Sequence, residues 1–491
     1  AKPIFWFLLI LLLGTILRLY RLPEYVHFLG DEGRDALAVK RIIVDHQFTL
    51  LGPTASVGGF YIGPLYYYMI ATFLLVSGLN PIGPAYLDVL IGVGFLALIY
   101  WFCKTVAGDK AALIATLLAA LSPQMINISR FSWNPNPMPF FALLAIVCLY
   151  LAGIKNQMKY VFLSGISVGV LQQLHYIDLV FIPILGVSLL LIFRGKNLFW
   201  AVILAGAGFL LGYSLFLIFE IRHGFPNLKS VWEFATRGGK TVAPRSFDLP
   251  WLFNDIFIRT YEIVLGVKRP ITDLFYYTSL FAFALTALKS LRDRGGSVNT
   301  KLLFVWMVLG VLGVGSYRGS LYDHYFGFLL PLPFIFLGIL GEYLFGLRKW
   351  FAVLCLGGLM ALSYFEIRSL YIWQPPNNQI EQTKKVAEIV LKLTHKEKYN
   401  FALITPGNSD HAYRYFLEIW GYPSQVIDNP AVDPQRKSVT SQLIVICEQA
   451  GCQPLGNPLW EVAGFGRAQI EAIDYGPAGI IVYKLVHYTG N

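Results

Sequence analysis

The sequence predicts a polytopic α-helical membrane protein with a small α/β domain after its last span. Three observations carry this. Of 491 residues, 56% are hydrophobic and only 14% are charged, against about 25% charged in soluble domains. Apolar runs of span length recur through the first three-quarters of the chain. From residue 374 onward the pattern changes to short apolar strands and an amphipathic helix.

Eleven spans are expected, near 3–20, 85–103, 110–127, 136–154, 160–175, 177–193, 197–219, 272–290, 301–317, 325–345 and 349–367. The first follows Lys2 and lacks a small-residue cleavage pattern, so it reads as an uncleaved span. With the N-terminus inside, Lys104/Lys110, Lys155/Lys159, Arg194/Lys196, "KSLRDRGGSVNTK" and "LRKW" all fall inside, as the positive-inside rule requires. Arg18 and Arg21 run against it, at the outer end of the first span. The apolar segment 63–78 would invert every later loop if it crossed. It is therefore placed, with its aromatic triplet Tyr66–Tyr68, at the interface within a long first outer loop, 21–84. Residues 1–373 form the membrane domain and 374–491 an extracytoplasmic α/β domain. There "VAEIVLKL" is an amphipathic helix and "FALIT", "QLIVIC" and "GIIVYKLV" are buried strands.

The net charge of +10 fits basic cytoplasmic loops and contacts to membrane lipid. It does not point to nucleic acid, because the Lys and Arg are scattered between apolar runs. Cys103, Cys148 and Cys355 lie in or beside apolar runs, where thiols serve packing. Cys447 and Cys452 lack metal-binding spacing, and on the outer side they would form a disulfide.

Polar residues gather at the outer ends of the spans. A transporter would place ionisable groups at the bilayer midplane, yet the midplane stretches are almost uniformly apolar. "GAGFLLG" (206–212) lies mid-span, where small residues serve helix packing, and no phosphate-cradling loop motif is present. Outside the membrane there is no pool of nucleotide-activated donors, so a sugar on a polyprenyl phosphate is the natural substrate. Such a donor needs cations for its phosphate, a carboxylate to take the acceptor's proton, and a greasy groove for its tail.

The segments "GDEGRDALAVKRI", "LLGPTASVGGFYIGPLYYYM", "ISRFSWNPNPMPFF", "QLHY", "FEIRHGFPN" and "DHYFGFLLPLP" resemble, in order and spacing, the GT-C membrane glycosyltransferases. The nearest group is the glycosyltransferase 39-like bacterial family, related to the protein O-mannosyltransferases and the lipid A aminoarabinose transferase. The resemblance covers roughly residues 1–370 and implies a GT-C fold and a polyprenyl-phosphate-sugar-dependent transferase. Relatives often carry His-Pro-Pro before the Leu-Tyr run, where this chain has Tyr61-Ile62-Gly63-Pro64.

The resemblance makes Asp31 the catalytic base. Inverting transfer needs one carboxylate near the acceptor hydroxyl, and the competing reading is a helix N-cap. Glu32 supports the base or touches the acceptor. Asp35 pairs locally with Arg34. The resemblance also implies that Arg130 faces Asp31. With Arg222, His223, Arg318 and His324 it forms the donor phosphate-binding set, where each charge-assisted bond contributes about 1.5–3 kcal/mol. Gln173, His175, Asn134, Tyr66 and Tyr67 are the sugar and acceptor candidates. Asp, Glu and His gather at one face, as a divalent metal would want, but no tight ligand spacing marks a site; metal-independent transfer is expected, with no other cofactor. The acceptor is a lipid, glycan or protein hydroxyl, and the location an inner membrane with the active site outside. Two other readings stay open: a flippase of lipid-linked sugars, which would not need the Asp31 carboxylate, and a lipid-linked glycan polymerase or ligase.

Overall fold

The apolar runs fold as helices, and their breaks fall where the chain supplies a reason. The computed structural model describes residues 2–55, 59–237, 251–294, 297–317, 319–449 and 451–490. Helices overlap all eleven expected spans. Among the described residues, six helices are long and apolar enough to cross a membrane alone, or seven when Asp323–Leu329 and Pro331–Phe345, bent by 50°, count as one. The chain is a multi-pass membrane protein. Expected span 110–127 ends its helix at Leu121 and restarts at Pro123, whose missing N–H suits a helix start. Span 197–219 is likewise two helices, Gly195–Gly212 and Ser214–His223. The segment in the long loop forms the 12-residue helix Leu65–Val76.

The chain divides into two units. The first comprises Ala1–Tyr20, Phe48–Met69 and Tyr86–Gln374; the second comprises Arg21–Gln47, Ile70–Ala85 and Pro375–Asn491. The second unit therefore takes in the segment containing "GDEGRD" as well as the C-terminal domain.

In the first unit, Met158–Leu174 packs closely on Gly195–Gly212. A Cβ at Gly208 would run into the Phe162 carbonyl and one at Gly212 into the Ile166 carbonyl, so the small residues of "GAGFLLG" admit close backbone approach. Buried arginines close the ends of other helices. Arg18 is fully buried and donates to the carbonyls of Gly14, Ala119 and Ala120 and to Ser129 Oγ. This is the physical reason for a charge in the first span that the loop-charge rule leaves unexplained: it cross-links two helix ends. Arg130, 1% exposed, donates to the carbonyls of Leu17 (2.6 Å), Arg18 (3.1 Å) and Tyr20 (2.6 Å). Leu17 and Arg18 hold two of the last carbonyls of helix Lys2–Leu19, which no intrahelical N–H can reach, and Tyr20 follows the helix directly.

The second unit holds a four-stranded sheet of order β1-β2-β4-β3, with β1 Asn400–Ile404, β2 Gln442–Cys447, β3 Ala468–Tyr475 and β4 Ile481–His487. β1 and β2 are parallel; the other pairs are antiparallel. The two parallel strands are buried throughout and read as unbroken apolar runs. The amphipathic helix Gln379–Thr394 buries Val386, Ala387 and Val390. Phe28 packs edge-on against Tyr415 and Phe416, which brings the segment before "GDEGRD" into the same core. Cys447 and Cys452 are joined, with Cα atoms 5.9 Å apart.

Replacing Arg130 by Ala leaves buried carbonyls without donors, at about 1–3 kcal/mol each. Arg130→Ala is expected to lower the thermal unfolding midpoint of detergent-purified protein markedly. Arg130→Lys should recover only part of the loss, since an ammonium lacks the guanidinium fork. Melting of Arg130→Ala at the wild-type temperature would show that these bonds do not hold the helix end.

Candidate active site

Helix Gly30–Ile43 of the second unit carries the acidic pair in its first turn and Lys40 and Arg41 in its last, the arrangement its dipole favours. Glu32 accepts the Leu29 N–H at 2.9 Å. Capping therefore falls to Glu32, and the N-cap residue is Leu29, not Asp31. The Asp31 side chain is 53% exposed and takes Arg34 Nη1 at 2.7 Å. The other arm of Arg34 pairs with Asp35, 1% exposed, at 2.7 Å. Gly30 and Gly33 let this helix lie against the 409–412 segment: a Cβ at Gly30 would run into Ser409 Oγ, and one at Gly33 into the Ala412 backbone N. At the far end Glu418 takes Lys40 (3.3 Å) and Arg41 (3.1 Å).

The two acids differ electrostatically. Burial of the half-buried Glu32 raises its carboxyl to about 7, against the N–H bonds it accepts and with help from the charges of Asp31 and Asp35. His411, held by Ser409 Oγ at 2.8 Å, is pushed below the ordinary imidazole value, chiefly by burial.

In the first unit, helix Met158–Leu174 ends at His175, whose Nδ1 accepts the Ile177 N–H at 3.2 Å and so opens the turn Tyr176–Val180. The His175 ring stacks on Tyr176 at 4.3 Å and lies 5.3 Å from His324. His324 also meets Trp133 at 4.8 Å and Tyr322 at 5.8 Å. Tyr176 Oη donates to Tyr325 Oη at 2.6 Å. Beside His324, Asp323 takes Arg259 Nη2 at 2.8 Å, and the guanidinium lies 5.1 Å over the Phe326 ring. The structure thus joins His175 and His324 with Trp133 and Tyr322, and pairs Arg259 with Asp323, the residue before His324. Arg259 was missed because a single arginine in "NDIFIRTYEIVL" carries no spacing signal; only the ion pair with Asp323 places it.

Other expected site residues are drawn into holding the frame. Arg130 closes the first helix, as described. Gln173 Nε2 donates to the Gly212 carbonyl at 2.7 Å, exposed by the helix break at Tyr213. Asn134 Nδ2 donates to the Leu174 carbonyl at 2.6 Å. Tyr66 is buried, its hydroxyl between Asp88 Oδ2 and Ser132 Oγ, each at 2.8 Å, and Tyr67 is buried beside it in sequence. Arg222 and His223 are exposed in the last turn of Ser214–His223. His223 stacks on Phe219 at 4.2 Å, its Nδ1 2.9 Å from the Phe219 carbonyl. Arg318 lies outside the described residues. Among the described residues no three His, Cys, Asp or Glu side chains gather as a metal site.

An apolar groove of about 250 Å³ runs along this part of the first unit, lined by Phe60, Ile62, Tyr176, Phe209, Tyr213 and Phe216, with Gln172, Glu220 and Asn227 as its polar points. Glu220 is buried and accepts Asn227 Nδ2 at 2.7 Å and the Leu228 N–H at 3.1 Å, capping helix Pro226–Arg237.

Residues 62–219 match the family described as dolichyl-phosphate-mannose-protein mannosyltransferase. No curated protein matches the sequence. Among solved structures, ArnT from Cupriavidus metallidurans in the apo state aligns over 99% of this chain and 98% of its own, with TM-score 0.64 and 13% identity. The same protein bound to undecaprenyl phosphate aligns over 98% of both chains, with TM-score 0.61 and 13% identity. The archaeal oligosaccharyltransferase AglB from Archaeoglobus fulgidus, in complex with an inhibitory peptide and a dolichol-phosphate, aligns over 98% of this chain and 74% of its own, with TM-score 0.58 and 13% identity. The chain has the GT-C fold of these membrane glycosyltransferases.

Proposed function

We propose that the protein is an inverting glycosyltransferase that moves a sugar from a polyprenyl-phosphate donor to an acceptor hydroxyl on the extracytoplasmic side. The observation that carries this reading is the first turn of Gly30–Ile43: one carboxylate half exposed and oriented by Arg34, its neighbour turned to capping. The donor class is supported by the His175–His324 pair, the Arg259–Asp323 ion pair next to it in sequence, the apolar groove, and the polyprenyl phosphates bound to ArnT and AglB.

In the proposed step, the acceptor oxygen attacks the sugar's anomeric carbon, and its proton passes to an Asp31 carboxylate oxygen. The bond from that carbon to the phosphate oxygen breaks, and the electron pair leaves with the polyprenyl phosphate. The first unit's Arg259 and His324 bind the growing phosphate charge, and the groove takes prenyl carbons. Arg222, His223 and Arg318 are further headgroup contacts on this reading. The acceptor is a lipid, glycan or protein, and the step is written without a metal ion. The basic loops between spans support an extracytoplasmic base and C-terminal domain.

Asp31→Asn keeps the size of the side chain and its acceptor for Arg34 but cannot take a proton. It is expected to slow transfer at least about a hundredfold while leaving binding of polyprenyl phosphate unchanged. Wild-type turnover would remove Asp31 as the base. Arg259→Ala is expected to weaken polyprenyl-phosphate binding by about ten- to a hundredfold, the equivalent of one charge-assisted bond, as read by thermal-shift titration. Unchanged affinity would take Arg259 out of the donor site.

Glu32 gives a pH test. Its folded value of about 7 lies above its ordinary 4.5, so the folded state binds the proton more tightly than the unfolded state. Stability therefore falls as pH rises from 4.5 through 7. Glu32→Gln keeps an acceptor for Leu29 N–H and should flatten that part of the stability–pH curve. An unchanged slope in the variant would show that Glu32 does not titrate there.

A further inference from the structure

Helix Gly30–Ile43 is held at its first turn by more than its own cap. The Gly30 N–H, which has no intrahelical acceptor, donates to Asn408 Oδ1 at 3.0 Å. The same oxygen accepts the Ser409 N–H at 2.8 Å. On its other side Asn408 Nδ2 donates to Glu448 Oε1 at 2.9 Å, and Tyr413 Oη donates to that oxygen at 2.7 Å. The Glu448 N–H donates to the Ile404 carbonyl at 3.0 Å, which continues the β1–β2 pairing one residue past Cys447. Glu448 lies inside the loop closed by Cys447 and Cys452. An unbroken series of bonds therefore runs from a disulfide-closed strand end, through Glu448 and Asn408, to the residue before Asp31.

The order of donors and acceptors in this series has one consistent sense. Glu448 Oε1 accepts from both Tyr413 Oη and Asn408 Nδ2, so it turns the amide of Asn408 with its NH2 toward itself. That leaves Oδ1 facing the N–H groups of Gly30 and Ser409. Without the carboxylate the amide could reverse, and two N–H groups would meet an NH2. Glu448 thus decides whether the first turn of the acidic helix has an acceptor.

We infer that Asn408 and Glu448 are positioning residues for transfer, fixing the helix turn that presents Asp31 and caps with Glu32. The inference rests on the role proposed for Asp31. It gives the C-terminal domain a task in the reaction itself.

The test is a pair of substitutions that break and then remake the bond. Asn408→Asp sets two carboxylates against each other and is expected to lower kcat at least tenfold, with the donor KM within about twofold of wild type. Combined with Glu448→Gln, whose amide can donate to Asp at position 408, kcat should return to within about threefold. Hydrogen exchange of the amides of residues 30–33 is read in parallel: faster in Asn408→Asp, and restored in the double variant. Should Asn408→Asp fail to fold, Asn408→Ala is expected to show the same faster exchange. Exchange unchanged in the single variants, or a double variant that recovers neither exchange nor kcat, overturns the inference. A wild-type protein that transfers no sugar overturns the functional reading instead, while the exchange measurements still judge the positioning series.

Discussion

Helix ends inside a membrane leave carbonyl and N–H groups that water cannot reach, and the side chains that satisfy them set the frame of the first unit. Arg18 and Arg130 close the ends of the first helix and of Asp109–Leu121. Gln173 takes the carbonyl freed at the break after Gly212, and Asn134 takes that of Leu174. At another helix start, Glu342 Oε2 accepts the N–H groups of Lys110 and Ala111, each at 3.1 Å. With these ends fixed, His175 can open its turn beside His324. Arg259 pairs with Asp323, the residue before His324. The chemistry proposed for the donor depends on that frame, because a cluster of rings and one cation has to be held still to bind a phosphate selectively.

The second unit solves a different problem, that of keeping neighbouring carboxyls in different roles. Asp31 projects toward solvent with Arg34 at its side, while Glu32 turns back onto the helix start, where burial raises it toward neutrality. Arg34 also holds the buried Asp35. One helical turn thereby separates an exposed acid, a capping acid and a structural ion pair. Gly30 and Gly33 permit this, since any side chain there would push the helix off the 409–412 segment.

The apolar helices and three of the four strands were legible because apolar periodicity is a local signal. β3 was not: it alternates partly buried and exposed positions at the edge of the sheet, so "AQIEAIDY" shows no apolar run. The break in span 197–219 was hidden because the polar group at it, Gln173 on the Gly212 carbonyl, comes from distant sequence, whereas the break in span 110–127 is marked locally by Ser122 and Pro123. The same limit governs the site. A polar residue at the end of a span reads alike whether it serves a ligand or a leftover carbonyl, so the carbonyl and hydroxyl partners of Gln173, Asn134 and Tyr66 were not legible from their positions. Arg259 went the other way, since only a partner 64 residues away marks it. The acidic pair was legible as a pair, but which acid caps and which faces solvent depends on side-chain direction.

The account stands or falls on a single displacement at the anomeric carbon of a lipid-linked sugar. The most direct measurement uses the purified protein in lipid nanodiscs with a doubly labelled polyprenyl-phosphate sugar and a mixture of candidate acceptors. The expected result is one polyprenyl phosphate released for each sugar joined, with the anomeric configuration inverted. Sugar that stays on its lipid while the intact donor changes leaflets in liposomes, or product that retains the donor configuration, would contradict it.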